Sequence, residues 1–288
     1  MKNFLLLFAA LLFAANASAD VVIDQTTFPD ANFRYYVRSQ SYGSDGVLTD
    51  AEIAEVKSMY PWYRDIEDLT GIEYFTELET LDVDGCYGNQ LTGIDISHNQ
   101  VLNELNISRN PISELSFSTN NSALEILYCY SCNLTSLDLS NLTGLTDLDC
   151  STNQLTGIVL NPNAPLTMLY CYENRIKDEG MWNLINSLPD YGEGNDRPWG
   201  NLVGILPGSE LEENVIYTTQ VTAANDKGWS VWSAIGSMEP YEGTVPSAIE
   251  TISTNASGIT TRYNLQGQPV GSDYKGIVIE NGVKKIAR

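Results

Sequence analysis

The sequence predicts an α/β protein wound as a right-handed solenoid, with short parallel strands lining a concave face. Three observations predict it: a leucine motif returns at a nearly constant interval, its apolar residues alternate over short runs, and each run ends in a recurring polar residue. The segments are LETLDVDGCYGNQL, LNELNISRNPI, LEILYCYSCNL, LTDLDCSTNQL and LTMLYCYENRI. Their second leucines, Leu81, Leu105, Leu127, Leu148 and Leu169, are spaced 24, 22, 21 and 21 residues apart. A period of this size marks a stack of repeated units.

Aligned, the segments read L-x-x-L-x-[VIC]-x-x-[NC]-x-[LI], the leucine-rich-repeat pattern, over residues 65–176. In L-x-L the apolar residues face one side of a strand. The predicted strands are 80–84, 104–108, 126–130, 147–151 and 168–172, with Leu81 and Val83, Leu105 and Ile107, Leu127 and Cys129, Leu148 and Cys150, and Leu169 and Cys171 inward. A single repeat cannot bury that face, so neighbours stack into one core. Asn89, Asn110, Asn153 and Asn174 stand where the chain leaves each strand, and their amides can satisfy loop backbone groups; Cys132 takes that place in the third repeat. The intervening LTGIDIS, ISELSFS, LTSLDLS and LTGIVLN carry the returning side of each coil.

Before the repeats, Lys2, the run FLLLFAALLFAA and small residues at Ala17 and Ala19 have the layout of a secretory signal peptide, residues 1–19. Its apolar core is too short to span a bilayer. Residues 20–64 read as a helical cap. FPDANFRYYVRSQ puts Phe33, Tyr36 and Val37 on one helical face, and a second helix begins near Thr49, which stands in capping-box spacing with Glu52. The segment between them fits the twelve-residue EF-hand register, with Asp45, Thr49 and Glu52 at positions five, nine and twelve, but Ser41 and Gly43 at the usually acidic positions one and three. Two readings stand: a calcium loop weakened by two missing carboxylates, or a helix–turn–helix cap held by Thr49 and Glu52. No other cofactor is expected.

After the repeats, residues 177–232 alternate helical and strand-like runs (MWNLINSL, NLVGIL, YTTQVTAANDKG, WSVW), reading as a C-terminal cap. Residues 233–258, rich in Ser, Thr, Gly and Pro, read as a linker. Residues 259–288 hold two apolar strand-like runs around Asp273-Tyr274-Lys275-Gly276 and a turn signal at Asn281-Gly282, reading as a β-hairpin tail that carries five bases against two acids.

These motifs resemble two known groups. IEDLTGIEYFTELETLDV and the helical pair before it are similar to the opening of bacterial internalin-like leucine-rich-repeat proteins, and the cysteine-bearing repeats resemble a variant common in secreted proteins of Gram-negative bacteria. That resemblance implies the solenoid fold and a binding role, and leaves the ligand open. YNLQGQPV and YKGIVIENGVKK are similar to the end of the C-terminal sorting domains of type IX secretion, which implies a sorting or attachment step; a hairpin that only packs on the last coils is the alternative.

Composition narrows the function classes. Hydrophobic residues make up 43% and charged ones 18%, as in a folded chain. The 37 acids against 15 bases give a net charge of −22, which repels phosphate backbones and anionic lipid surfaces and so excludes nucleic acid as a partner. His98 is the sole histidine, too few for a multi-histidine metal site. Cys129, Cys150 and Cys171 recur at the same inward position, where neighbouring strands stand ~4.8 Å apart and disulfide Cβ atoms ~3.8 Å; a ladder of buried thiols is expected.

The residues flanking the inward positions project from the concave face. One column is Asp82, Asn106, Tyr128, Asp149 and Tyr170; the next is Asp84, Ser108, Tyr130, Ser151 and Tyr172; Glu104 and Asp147 stand in the preceding one. Tyrosine offers area, a hydroxyl and little rotamer entropy, so Tyr128, Tyr130, Tyr170 and Tyr172 with Asp82, Asp84, Asp147 and Asp149 are the candidate ligand-binding residues. The same aspartates could be imagined as paired hydrolase carboxylates, but nothing in the sequence desolvates one, and no nucleophile motif accompanies them. The expectation is a non-catalytic, monomeric recognition protein outside the cell or on its outer membrane, with the periplasm as the alternative location. Its expected partner is a protein or glycan on a host or bacterial surface, as in adhesion. A secreted hydrolase and a structural surface-layer component are the competing classes.

Overall fold

The computed structural model describes residues 20–62, 65–85, 88–192, 200–245, 262–264, 269–270, 275–280 and 283–287. They fall into two compact units, within 1–242 and 243–288. The expected signal peptide, the Asn281-Gly282 turn and Cys86 lie outside the described residues.

The first unit opens with β1 (Val21–Val22) paired antiparallel to β2 (Val47–Leu48), with helix α1 (Ala31–Ser39) between them in sequence. Asp30 caps α1 by accepting the N–H groups of Asn32 and Phe33, and the helix buries Phe33, Tyr36 and Val37. Helix α2 (Asp50–Glu55) follows, capped by Thr49. Phe28, which opens the segment read as helical but precedes α1, is fully buried, edge-on to Phe33 and close to Tyr74 and Phe75.

The main sheet then begins with β3 (Ser58–Met59) and gains one strand per coil: β4 (Thr80–Asp82), β5 (Glu104–Asn106) and β6 (Ile126–Tyr128). β7 (Leu137–Leu139) lies on the returning side, β8 (Asp147–Asp149) in the main sheet, β9 (Ile158–Leu160) on the returning side paired parallel with β7, and β10 (Met168–Tyr170) again in the main sheet. Each main-sheet repeat strand pairs parallel with its neighbour in register, Leu81 to Leu105 to Leu127 to Leu148 to Leu169. All ten inward positions are buried. The α/β repeat solenoid is therefore present as a mostly parallel sheet with crossovers.

The repeat strands are each two residues shorter than alternation predicts, because the ladder leaves regular geometry after the third residue. The side chains of Asp82, Asn106 and Asp149 accept the backbone N–H two residues on, at 3.1, 3.1 and 3.0 Å, forming local turns that compete with the strand. Single inter-coil bonds continue, such as Cys129 N–H to Asp149 O at 2.8 Å and Cys150 N–H to Tyr170 O at 2.9 Å. The chain then turns through Arg109, Ser131, Thr152 and Glu173, all in the left-handed region.

The next residue in each coil is the ladder position. Asn110 donates to Val83 O and Ile107 O, both at 2.9 Å, and accepts Leu91 N–H at 3.0 Å. Asn153 and Asn174 repeat the pattern one and two coils away from Cys132. Asn214, outside the recognised repeats, does the same: it donates to Cys171 O and Gly204 O and accepts Ile176 N–H. At Cys132 the thiol donates weakly to Ile107 O at 3.5 Å, and Ile112 N–H goes instead to Asn110 O.

Beyond the repeats come α3 (Asp178–Ser187), β11 (Gly200–Ile205), α4 (Thr218–Asp226) and β12 (Trp229–Ile235). β11 and β12 continue the parallel sheet. The segment 233–258, expected as a linker, opens as strand instead. β12 runs through Ile235, and β13 (Ser237–Pro240) turns back antiparallel on it about Gly236, whose φ is 56°. Small and polar residues suggested a linker, yet WSVWSAI alternates buried and partly exposed side chains as a strand does.

The second unit is more than the expected hairpin. β14 (Arg262–Asn264), β15 (Pro269–Val270), β16 (Gly276–Glu280) and β17 (Val283–Ala287) form a four-stranded antiparallel sheet in the order β15-β14-β16-β17. The β16–β17 pair is the expected hairpin. The strand-like run read before Asp273 divides into β14 and β15, and Arg262–Asn264 and Pro269–Val270 are each too short for a period to separate them.

Candidate functional site: a tyrosine–carboxylate face on the sheet

Register sets the outward columns. The first holds Glu104, Ile126, Asp147, Met168 and Asn201 on successive strands; the second holds Asp82, Asn106, Tyr128, Asp149, Tyr170, Val203 and Trp232. Tyr128, Asp149 and Tyr170 are thus consecutive neighbours, and all three are half-buried. Asp147, two residues before Asp149 on β8, accepts the Thr146 hydroxyl at 2.6 Å.

The third column does not project as alternation predicts. Asp84, Ser108 and Ser151 are buried, whereas Tyr130 and Tyr172 remain half-buried. Small side chains fold back onto the turn: the Ser151 hydroxyl donates to Asp149 Oδ1 at 2.6 Å. Asp84 is engaged inside the molecule, where Arg109 Nε and Nη2 donate to its two oxygens at 2.8 and 2.6 Å. The same guanidinium stands 4.9 Å from the centre of the Tyr130 ring, whose hydroxyl is 3.5 Å from Asp84 Oδ2. Asp84 is therefore a structural anchor, and the open part of the face is carried by the second column.

The electrostatics follow from this packing. Burial pushes the Asp149 carboxyl above its ordinary value, against the Ser151 hydroxyl and N–H that favour its charged form. Sequence pattern gave no reason to expect desolvation there; its half-buried place between β6 and β10 supplies it. Burial also pushes Tyr128 up, reinforced by the charges of Asp147, Glu104 and Asp149. Tyr170 is raised by burial and then by Asp149.

Beneath the face, Cys129, Cys150 and Cys171 are free, fully buried thiols, each pushed upward by burial. Cys132 is also free and is raised to about 11 by burial. They pack as small apolar groups under the second and third columns.

In the cap, the candidate calcium residues engage one another and the backbone. Glu52 Oε2 accepts the Thr49 N–H at 2.9 Å and its hydroxyl at 2.8 Å, while Asp45 Oδ1 accepts Val47 N–H at 3.0 Å. Among the described residues, no three His, Cys, Asp or Glu side chains gather where they could hold a metal ion.

Sequence reading missed both ends of the face. Tyr60, next after β3, is 45% exposed, and its ring lies 5.5 Å from that of Trp62, 41% exposed. At the other end, Trp232 donates from Nε1 to Asn201 Oδ1 at 3.0 Å. Alternation extended past the last recognised repeat would have found Trp232; Tyr60 precedes a strand of two residues, too short to read.

No family model matches the chain, and no curated protein matches it. Several solved structures are similar at low identity. The functional domain of InlJ from Listeria monocytogenes, described as including a cysteine ladder, is 22% identical with a TM-score of 0.47, over 76% of this chain and 54% of that one. An internalin C2 from the same species is 21% identical with a TM-score of 0.44, over 69% and 97%. An internalin InlF from that species is 20% identical with a TM-score of 0.39, over 75% and 78%. This chain therefore spans about half the length of the first of these. Among the described residues no helix is long and apolar enough to cross a membrane.

Proposed function

We propose that this chain is an exported recognition protein that binds a protein or glycan outside the cell through the outward columns of its sheet. The row Tyr128–Asp149–Tyr170 carries this reading: two large amphipathic rings flank a half-buried carboxylate on strands held in fixed register. Rigid strands hold such groups at low entropic cost, as a recognition face requires. The net charge of −22 favours a basic partner surface and an association rate that falls with added salt. A pull-down from host and bacterial surface material identifies the partner. A folded variant with Tyr128, Tyr130, Tyr170 and Tyr172 changed to alanine should then lose it, and unchanged affinity overturns the face.

One observation favours a hydrolase, the raised Asp149 carboxyl, which suits a general acid. Against it, Asp147 and Asp149 project from one side of one strand, whereas glycosidic carboxylates flank the bond they cleave. Turnover of a glycan or peptide that is abolished by Asp149→Asn would reverse the choice.

The tail fits a sorting or attachment role, following a leader that takes the chain across the inner membrane. Four strands with a buried Val278 give it more core than a bare hairpin has. Deleting residues 259–288 should trap the protein in the periplasm; unchanged surface or medium levels remove the sorting role.

A further inference from the structure

This inference rests on the face being a recognition surface and names what one part of it takes. We infer that Tyr128, Asp149 and Tyr170 form a subsite for a guanidinium group, the side chain of an arginine on a protein partner.

The geometry comes first. Parallel strands lie ~4.8 Å apart, so Tyr128 and Tyr170 stand roughly 10 Å from each other with the shorter Asp149 between them. A planar cation seated on Asp149 is then within about 6 Å of both rings, the reach of a cation–π contact. The carboxylate is half satisfied: Oδ1 accepts the Ser151 N–H and hydroxyl, and Oδ2 has no partner among the described residues. The Tyr128 and Tyr170 hydroxyls likewise have none among the described residues, which leaves acceptors on both sides for the outer N–H groups of a guanidinium.

The molecule already uses this chemistry once. In the third column a guanidinium, that of Arg109, takes both oxygens of Asp84 and lies over Tyr130. The second column repeats the ingredients, carboxylate and tyrosine rings, with no internal cation among the described residues. Asp149 is therefore a desolvated carboxyl with no counter-charge among the described residues, a state that an arriving cation relieves. Glu104 and Asp147 add negative field at the edge of the row. Arginine fits better than lysine, because its weakly hydrated planar head stacks between rings, whereas an ammonium gives up more hydration.

Full-length protein titrated with fluorescent octa-arginine, octa-lysine and octa-citrulline peptides tests the subsite. Arginine should bind most tightly, and citrulline, its uncharged isostere, least. Asp149→Asn and Tyr128→Leu should each weaken arginine binding about three- to ten-fold, while Tyr128→Phe, which keeps the ring, should change it far less. Asp138→Asn removes the same charge from an exposed position on the returning side and controls for overall acidity. The inference is overturned if Asp149→Asn behaves like Asp138→Asn, if Tyr128→Leu has no effect, or if citrulline binds as well as arginine. Failure here is separable from failure of the face: a partner lost by the four-tyrosine variant but kept by Asp149→Asn removes the guanidinium subsite alone. A partner kept by both variants removes both readings.

Discussion

Asn153 and Asn174, one coil apart, donate from their Nδ2 atoms to the same oxygen, the carbonyl of Cys150, at 3.1 and 3.0 Å. Successive coils are thus tied through shared main-chain acceptors, and each asparagine spans two coils. The stack is held by directional bonds as well as by burial of its leucines.

Replacing one member should therefore be costly. Asn153→Ala removes the donations to Cys129 O and Cys150 O and leaves the buried Leu134 N–H without its acceptor. A loss of about 2–3 kcal/mol is expected in urea unfolding. A loss under about 0.5 kcal/mol, the scale of an ordinary surface substitution, would show that the ladder contributes little.

The gap at Cys132 predicts the opposite sign. Cys132→Asn should let a side-chain amide reach Ile107 O and Cys129 O, and let Ile112 N–H return to the ladder from Asn110 O. A gain of about 1 kcal/mol is expected. The checks are the unfolding midpoint and amide-exchange protection at Ile112.

Asp149 gives the pH prediction. Its folded-state carboxyl is raised by burial, so the native state holds the proton more tightly than the unfolded chain does. The stabilising contribution is fully present below the ordinary aspartate value of 3.8 and is lost as pH rises through the raised value. At neutral pH Asp149→Asn should therefore be more stable than the parent, and the difference should shrink as the pH falls through the window just above 3.8. A difference that does not vary with pH would show that Asp149 is not desolvated.

The last coils depend on one close approach. A Cβ at Gly200 would overlap the ring of Trp229, which is fully buried and donates from Nε1 to Pro189 O at 2.9 Å. Gly200→Ala should cost about 1–3 kcal/mol by overpacking. A double-mutant cycle measured by urea unfolding tests the cause: Gly200→Ala should cost much less in a Trp229→Leu background than in the parent, and an equal cost in both overturns the clash.

The coils were legible because L-x-L repeats in register, so the inward leucines and the ladder asparagines could be read from the sequence alone. Burial of the outward residues could not be read in that way. Alternation treats Asp82 and Asp84 alike, yet Asp84 is drawn inward by Arg109, a residue 25 positions away. Nor could alternation show that Asp149 would be desolvated, which depends on how closely the neighbouring strands pack around it. Asn214 and Trp232 escaped because the last coils are wider, so the leucine interval that located the others no longer applied.

A stack of identical units has no intrinsic reason to stop, since each new strand offers its free edge to another. Here the parallel order ends with β13, which runs the other way and finishes at Pro240, a residue without an N–H to offer. A last strand of only four residues that finishes on a proline offers an incoming strand a short, interrupted template. The consequence is that this end of the sheet resists edge-to-edge addition of a further strand. Removing residues 237–240 would bare the longer edge of β12, with the half-exposed Ile235 at its end, and should raise aggregation in light scattering.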